Sequence, residues 1–257
     1  MILDLTDFLR SASDTLVIIF LVFLRVGSAL FVLPVFGEMV LPVRLRLGIA
    51  IALSLIIHPM IDIDLEKLWT SASILLQILF SEIFIGLIVG LLLRLHIMSL
   101  QIAATIAAQS TSLSQLLGSN TVDPQPAIGL ILYVAALALA VELGLHVQLT
   151  VMFAITYDIV GVGATFKSES SNIIRDTVVA TFRFGFILAA PFVAASILYN
   201  LALGVINRAM PQLMVAFVGA PAITLGALVL LALTGPLMLA LWLDRFQLYL
   251  RNPFGID

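Results

Sequence analysis

The sequence predicts an all-α membrane protein built from about six hydrophobic helices or helical hairpins, some of them broken by proline or glycine. Three observations lead there. Of 257 residues, 62% are hydrophobic and 11% charged, whereas soluble domains run near 45–50% and about 25%. That excess does not fit inside a soluble core, because even a domain of about 300 residues leaves roughly a quarter of its unfolded-chain surface exposed. Several apolar runs also exceed the ~18 residues that mark a membrane helix, and none alternates as a barrel strand would. Lipid offers no partner to unpaired backbone groups, so each run is read as helix.

The runs follow one another in order. The first covers Thr15 to Phe36. It is too long for the apolar region of a signal peptide and is preceded by acidic residues (Asp4, Asp7), so it reads as a retained membrane segment. The second, Leu47 to Ile61, is short and follows Arg44 and Arg46. The third, Ile74 to Leu93, carries a Gly86-x-x-x-Gly90 pair, a spacing that lets two helices approach closely. The fourth runs from Ala127 to Ile155, the fifth from Val178 to Ile206 and the sixth from Met214 to Leu243. Pro191 interrupts the fifth, and Pro221 and Pro236 the sixth. These prolines fit kinked helices packed among partners, or a broken-helix solute site. Almost nothing remains for a soluble domain, so residues 1–257 are read as one membrane-embedded domain.

Charge sets further bounds. The net charge is −3, the lysines are Lys67 and Lys167, and no basic block exists to bind nucleic acid. The chain has no cysteine, which excludes disulfides and thiolate metal sites. In a six-span topology, Arg10, Lys67, Lys167, Arg175, Arg245 and Arg251 fall on the side of the termini, and Arg44, Arg46, Arg94 and Arg208 on the other. That is a narrow vote for cytoplasmic termini.

Ionisable groups inside apolar runs are the first functional candidates. Arg25 lies mid-run, where an arginine is unfavourable by about 2.5–3.5 kcal/mol unless protein or water satisfies it. Glu82 and Glu142 are the available acids, and Arg183 is a second base in an apolar run. Such groups are read as interhelical ties that fix packing, as a proton relay, or as contacts with other subunits. Glu142 and His146 stand four apart, a spacing that puts both on one helix face. No third or fourth ligand accompanies them, so no metal is expected. Gly161-Val162-Gly163-Ala164-Thr165-Phe166 lacks the ending of a phosphate loop. Neither a catalytic constellation nor a cofactor motif is present, so the chain is not read as an enzyme.

The segment from Leu95 to Val122 differs from the rest. It contains no Asp, Glu, Lys or Arg, and it interleaves small residues with Ser, Thr and Gln. Uncharged polar surface lets a polypeptide slide past, where charged or apolar walls would hold it. The stretch reads either as an amphipathic packing helix followed by an ordinary loop, or as a pore lining or plug.

Taken together, these pieces resemble the FliR family of flagellar export-gate membrane proteins, which has homologues in type III injectisomes. The likeness rests on Arg25-Val26-Gly27, Pro34, Phe36-Gly37, Pro42 and Arg46. It continues through Gln101, Ala108-Gln109, Asp123-Pro124 and Pro191, then Asn200-Leu201-Ala202-Leu203-Gly204, Asn207-Arg208, Pro211-Gln212-Leu213, Gly219 and Pro221. A family glycine directly before the fourth-helix histidine is displaced here to Gly144-Leu145-His146. The resemblance implies a subunit in the bacterial inner membrane, within the flagellar basal body. It implies assembly with FliP and FliQ into a helical gate, contact with FlhB and FlhA, and passage of unfolded flagellar substrates. It also implies a plug loop, which by position is Gln109, Ser110, Thr111, Ser112, Leu113, Ser114, Gln115, Leu116, Leu117 and Gly118. Arg25, Glu82, Glu142, His146, Arg183 and Arg208 are the buried charged or packing candidates. An injectisome homologue and a proton-coupled solute transporter using Glu142 and His146 are the alternatives.

Overall fold

The computed structural model describes residues 2–33, 42–61, 71–111, 127–164, 168–210 and 215–254. Among these residues the chain is all α: α1 (Ile2–Val32), α2 (Val43–Ile57), a 3₁₀ turn (His58–Met60), α3 (Ala72–Thr111), α4 (Ala127–Glu142), α5 (Leu145–Ile159), α6 (Ser168–Ala209) and α7 (Val215–Arg251). Local chemistry sets several ends. Pro42 stands just before α2, and its carbonyl accepts from the Leu45 and Arg46 amides. Pro59 cannot donate to the ladder, and α2 tightens into the 3₁₀ turn there.

The six apolar blocks correspond to helices, with three differences. First, the break in the fourth block falls between Glu142 and Leu145. Gly144 adopts φ +75°, a left-handed conformation that stops α4 and restarts the chain as α5. Second, α6 and α7 run continuously through Pro191, Pro221 and Pro236. Third, α3 does not stop at Leu93 but continues past Arg94 to Thr111, so Arg94 is not in a connection as the charge count assumes. At 1.5 Å per residue the 40 residues of α3 extend about 60 Å, twice the ~30 Å of a hydrocarbon core. Five helices are long and apolar enough to cross a membrane, or six when α4 and α5 are counted as one span.

The chain divides into two compact units. The first comprises residues 1–94, 144–175 and 248–257. Its core joins Leu21, Val26 and Leu30 of α1 to Ile85, Val89 and Leu92 of α3 and Phe153 of α5, all nearly inaccessible. The α1–α3 crossing is close because two glycines allow it. A Cβ on Gly90 would lie 2.5 Å from the Ala29 carbonyl oxygen, and one on Gly86 would strike the Arg25 carbonyl and the Ser28 hydroxyl. The Gly-x-x-x-Gly pair is therefore a packing device.

The second unit comprises residues 95–143 and 176–247. Small residues of α3 (Ala103, Ala104, Ala107) form its buried stripe, with Leu132 and Ala136 of α4, Phe192 of α6 and Trp242 of α7. A Cβ on Gly185 of α6 would fall 3.0 Å from the Ser99 carbonyl oxygen, so α6 lies almost on the α3 backbone. The Trp242 indole donates to the His96 carbonyl oxygen at 2.9 Å and stacks on Phe246.

Candidate functional site

Among the described residues, polar chemistry beyond helix caps concentrates in two places. One is a closed ionic cluster in the first unit, and the other is the C-terminal part of α3 in the second.

The cluster is centred on Arg25 of α1 and Glu82 of α3, both 0% exposed. Arg25 Nε donates to Glu82 Oε2 at 2.8 Å and Nη2 donates to Oε1 at 3.0 Å, a bidentate pair. The remaining guanidinium hydrogens go to α5 and the residue after it. Nη1 donates to the Thr156 carbonyl at 3.1 Å and to Thr156 Oγ1 at 3.3 Å, and Nη2 donates to the Val160 carbonyl at 3.1 Å. All five N–H groups thus have acceptors. The carboxylate is equally occupied. Oε2 also accepts from the Tyr157 hydroxyl and Oε1 from the Gly163 amide, each at 3.3 Å. The Tyr157 ring lies under the guanidinium, 3.6 Å from Cζ to centroid.

This arrangement ties three helices at one point. It also gives partners to the carbonyls of Thr156 and Val160 at the end of α5, which have no helical donor ahead of them or share one. Chemically it is a tie. Every guanidinium N–H and both carboxylate oxygens are engaged within the cluster.

In the second unit, α3 presents two faces from Leu95 onward. The small residues are buried, and Gln101, Thr105 and Gln109 are exposed one turn apart. The last turn is pinned to α6: Ser196 Oγ donates to the Ser110 carbonyl oxygen at 2.6 Å, and Asn200 Nδ2 donates to Ser196 Oγ at 3.3 Å. A carbonyl in the last described turn of α3 thereby accepts from a side chain of α6.

The sequence candidates fall into distinct groups. Of the two acids in apolar runs, Glu82 takes Arg25. Glu142, His146, Arg183 and Arg208 are exposed on their helices, although the sequence groups them with the buried charges. A helix that is apolar all round does not reveal which of its faces is packed. Glu142 and His146 do not share a helix face, because Gly144 separates the end of α4 from the start of α5. Among the described residues no three His, Asp or Glu side chains are grouped as metal ligands. Gln109, Ser110 and Thr111 are not loop but the last residues of α3. Ser112, Leu113, Ser114, Gln115, Leu116, Leu117 and Gly118 lie outside the described residues. The sequence alone does not single out Thr156, Tyr157, Val160, Gly163 or Ser196, and most of them act through backbone groups.

A family model described as "Bacterial export proteins, family 1" matches residues 16–249. The flagellar biosynthetic protein FliR of Caulobacter vibrioides is 30% identical over 230 residues, covering 88% of this chain and 92% of that protein. FliR of Bacillus subtilis is 28% identical, covering 83% of this chain and 84% of the relative. FliR of Aquifex aeolicus is also 28% identical, covering 92% of each.

Proposed function

The chain belongs to the bacterial export proteins, family 1, and from that premise we propose that it helps form and seal the channel of the flagellar type III protein export gate. It is a component of the flagellar export apparatus and an α-helical membrane protein, and its relatives over most of their length are flagellar. In the proposed role residues 1–257 act as one unit in the bacterial inner membrane. The chain assembles with FliP and FliQ, meets FlhB and FlhA, and lines part of the path for unfolded substrates, without catalysis or a bound cofactor of its own.

The observation that carries the sealing role is the exposed, uncharged row Gln101, Thr105 and Gln109 on α3, which leads directly into the polar segment from Ser112 to Gly118. A wall of amide and hydroxyl groups neither holds charged cargo nor offers apolar surface for it to adhere to. Ser196 of α6 ties down the last described turn of α3. Deleting Ser112–Gly118 in the co-expressed gate is expected to raise membrane conductance to small solutes while leaving assembly intact. Unchanged conductance would remove the sealing role. The transporter alternative draws no support, because Gly144 removes the Glu142–His146 face on which it depended.

A further inference from the structure

The exposed row of α3 carries a definite pattern of donors and acceptors. Gln101, Thr105 and Gln109 are exposed at four-residue intervals, while Ala103, Ala104, Ala107 and Ala108 between them are buried. Among the described residues the Gln101 and Gln109 side chains make no hydrogen bond, so each keeps its N–H donors and its carbonyl acceptor. Thr105 Oγ1 donates to the Gln101 backbone carbonyl at 2.9 Å and keeps lone pairs for an incoming N–H. A further amide stands beside the last described turn of α3. Asn200 of α6 is exposed, and its Nδ2 donates at 3.3 Å to Ser196 Oγ, which itself donates to the Ser110 carbonyl oxygen. Every other exposed residue of α6 between Phe184 and Ile206 is apolar. Hydrocarbon would leave these amides without partners, at a cost in free energy.

Resting on the export-gate reading, we infer that this amide surface takes the cargo as extended main chain, through its peptide groups and regardless of its side chains. Two observations select that occupant. The first is spacing. Four helical residues advance about 6 Å. Two residues of extended chain advance about 6.6–6.8 Å, the interval at which N–H and C=O groups recur along one edge. The turn of about 40° between successive row residues spreads the side-chain ends further, toward that interval. The second is chemistry. A helix of a neighbouring subunit has its own backbone groups paired, whereas an extended chain presents a free donor and a free acceptor at each residue. One Gln or Asn side chain matches both. Each such contact contributes little net free energy, and the two spacings do not coincide, so the chain is accommodated without being held. Leucine in place of the amides would strip water from the peptide groups and return nothing.

The test measures export of a reporter cargo that carries either an alternating Ser-Thr run or an alternating Ser-Pro run. Proline removes the donor of every second residue while keeping the chain extended. With the wild-type chain, the Ser-Pro cargo is expected to be exported about threefold more slowly. In the Gln101→Leu, Gln109→Leu chain the Ser-Thr cargo is expected to slow about threefold to tenfold, and the difference between the two cargoes to vanish, because the lost partners were the same. Gln101→Asn with Gln109→Asn keeps the amides and is expected to retain most of the wild-type rate, and Asn200→Leu to give a smaller loss than the double Leu variant. Recovery of the assembled gate is measured for each variant, so that lost assembly is not read as lost recognition. Gln101→Met with Gln109→Met is a second apolar pair of the original length and carries the same expectation. A proline effect of equal size in the wild-type and apolar chains overturns the inference. So does an apolar chain that exports the Ser-Thr cargo at the wild-type rate. The chain has no cysteine, so a thiol introduced at position 105 reports separately whether cargo passes this row. If stalled cargo does not cross-link there, the lining role falls together with this inference. If it cross-links there and the proline effect is unchanged in the apolar chains, only this inference falls.

Discussion

Arg25 and Arg183 each lie within a long apolar helix, and the two units of the chain treat them in opposite ways. In the first unit Arg25 is fully enclosed, and its five N–H groups meet a carboxylate, two carbonyls and a hydroxyl. In the second unit Arg183 is exposed, with apolar neighbours and no partner among the described residues. The difference shows that an arginine in an apolar run carries no fixed role. Where two helices converge closely enough to deliver a carboxylate and helix-terminal carbonyls, it becomes an internal tie. Where the described residues bring no partner to its helix face, it stays exposed.

The largest effect is expected at the internal tie. Glu82→Ala leaves a buried guanidinium uncompensated, a loss of about 3–5 kcal/mol, read as reduced yield and a lower thermal unfolding midpoint in detergent. Replacing both partners by apolar residues, Arg25→Met with Glu82→Leu, is expected to restore most of that loss, because the penalty arises from the unpaired charge. Arg183→Leu, by contrast, should leave the unfolding midpoint of the isolated chain almost unchanged. If both arginines behave alike in the isolated chain, the contrast between the units is wrong.

Smaller effects sharpen the same contrast. Gly90→Val forces α1 and α3 apart at Ala29, at about 1–3 kcal/mol, and the thermal midpoint should fall with loosening around the Arg25 cluster. Gly144→Ala strains a left-handed position by about 1–2 kcal/mol, and hydrogen exchange is expected to rise around residues 142–147. The smallest effect is expected for Ser196→Ala. It deprives the Ser110 carbonyl of its donor at about 1 kcal/mol, visible as faster exchange in the last turn of α3 and little change elsewhere.

Much of the fold was legible because lipid leaves few options: long apolar runs must be helices, and small residues four apart must pack closely. Arg25 was legible for the same reason, since an embedded charge demands a partner and Glu82 was one of two acids on offer. The rest of its environment was not. Thr156 and Val160 contribute carbonyls and Gly163 an amide, and any residue but proline carries these groups, so no side-chain pattern marks them. The break at Gly144 was hidden because the apolar run continues through it on both sides. The exposure of Glu142, His146, Arg183 and Arg208 was hidden because hydropathy does not separate a face against lipid or another subunit from a face against its own chain. The described part of the polar stretch is the end of α3, and it has two faces. Its small residues pack the second unit, and its Gln and Thr residues face outward.

The most direct test of the sealing and lining role again exploits a chain that lacks cysteine. A Thr105→Cys variant, altered on the exposed polar row of α3, is assembled in cells and challenged with an export substrate that is stalled mid-transit and carries a single cysteine. A disulfide between the substrate and the thiol introduced at position 105 is expected, with none from a Leu198→Cys chain. Substrate that cross-links to the Leu198→Cys chain but not to the Thr105→Cys chain would contradict the placement of the transport path along this row.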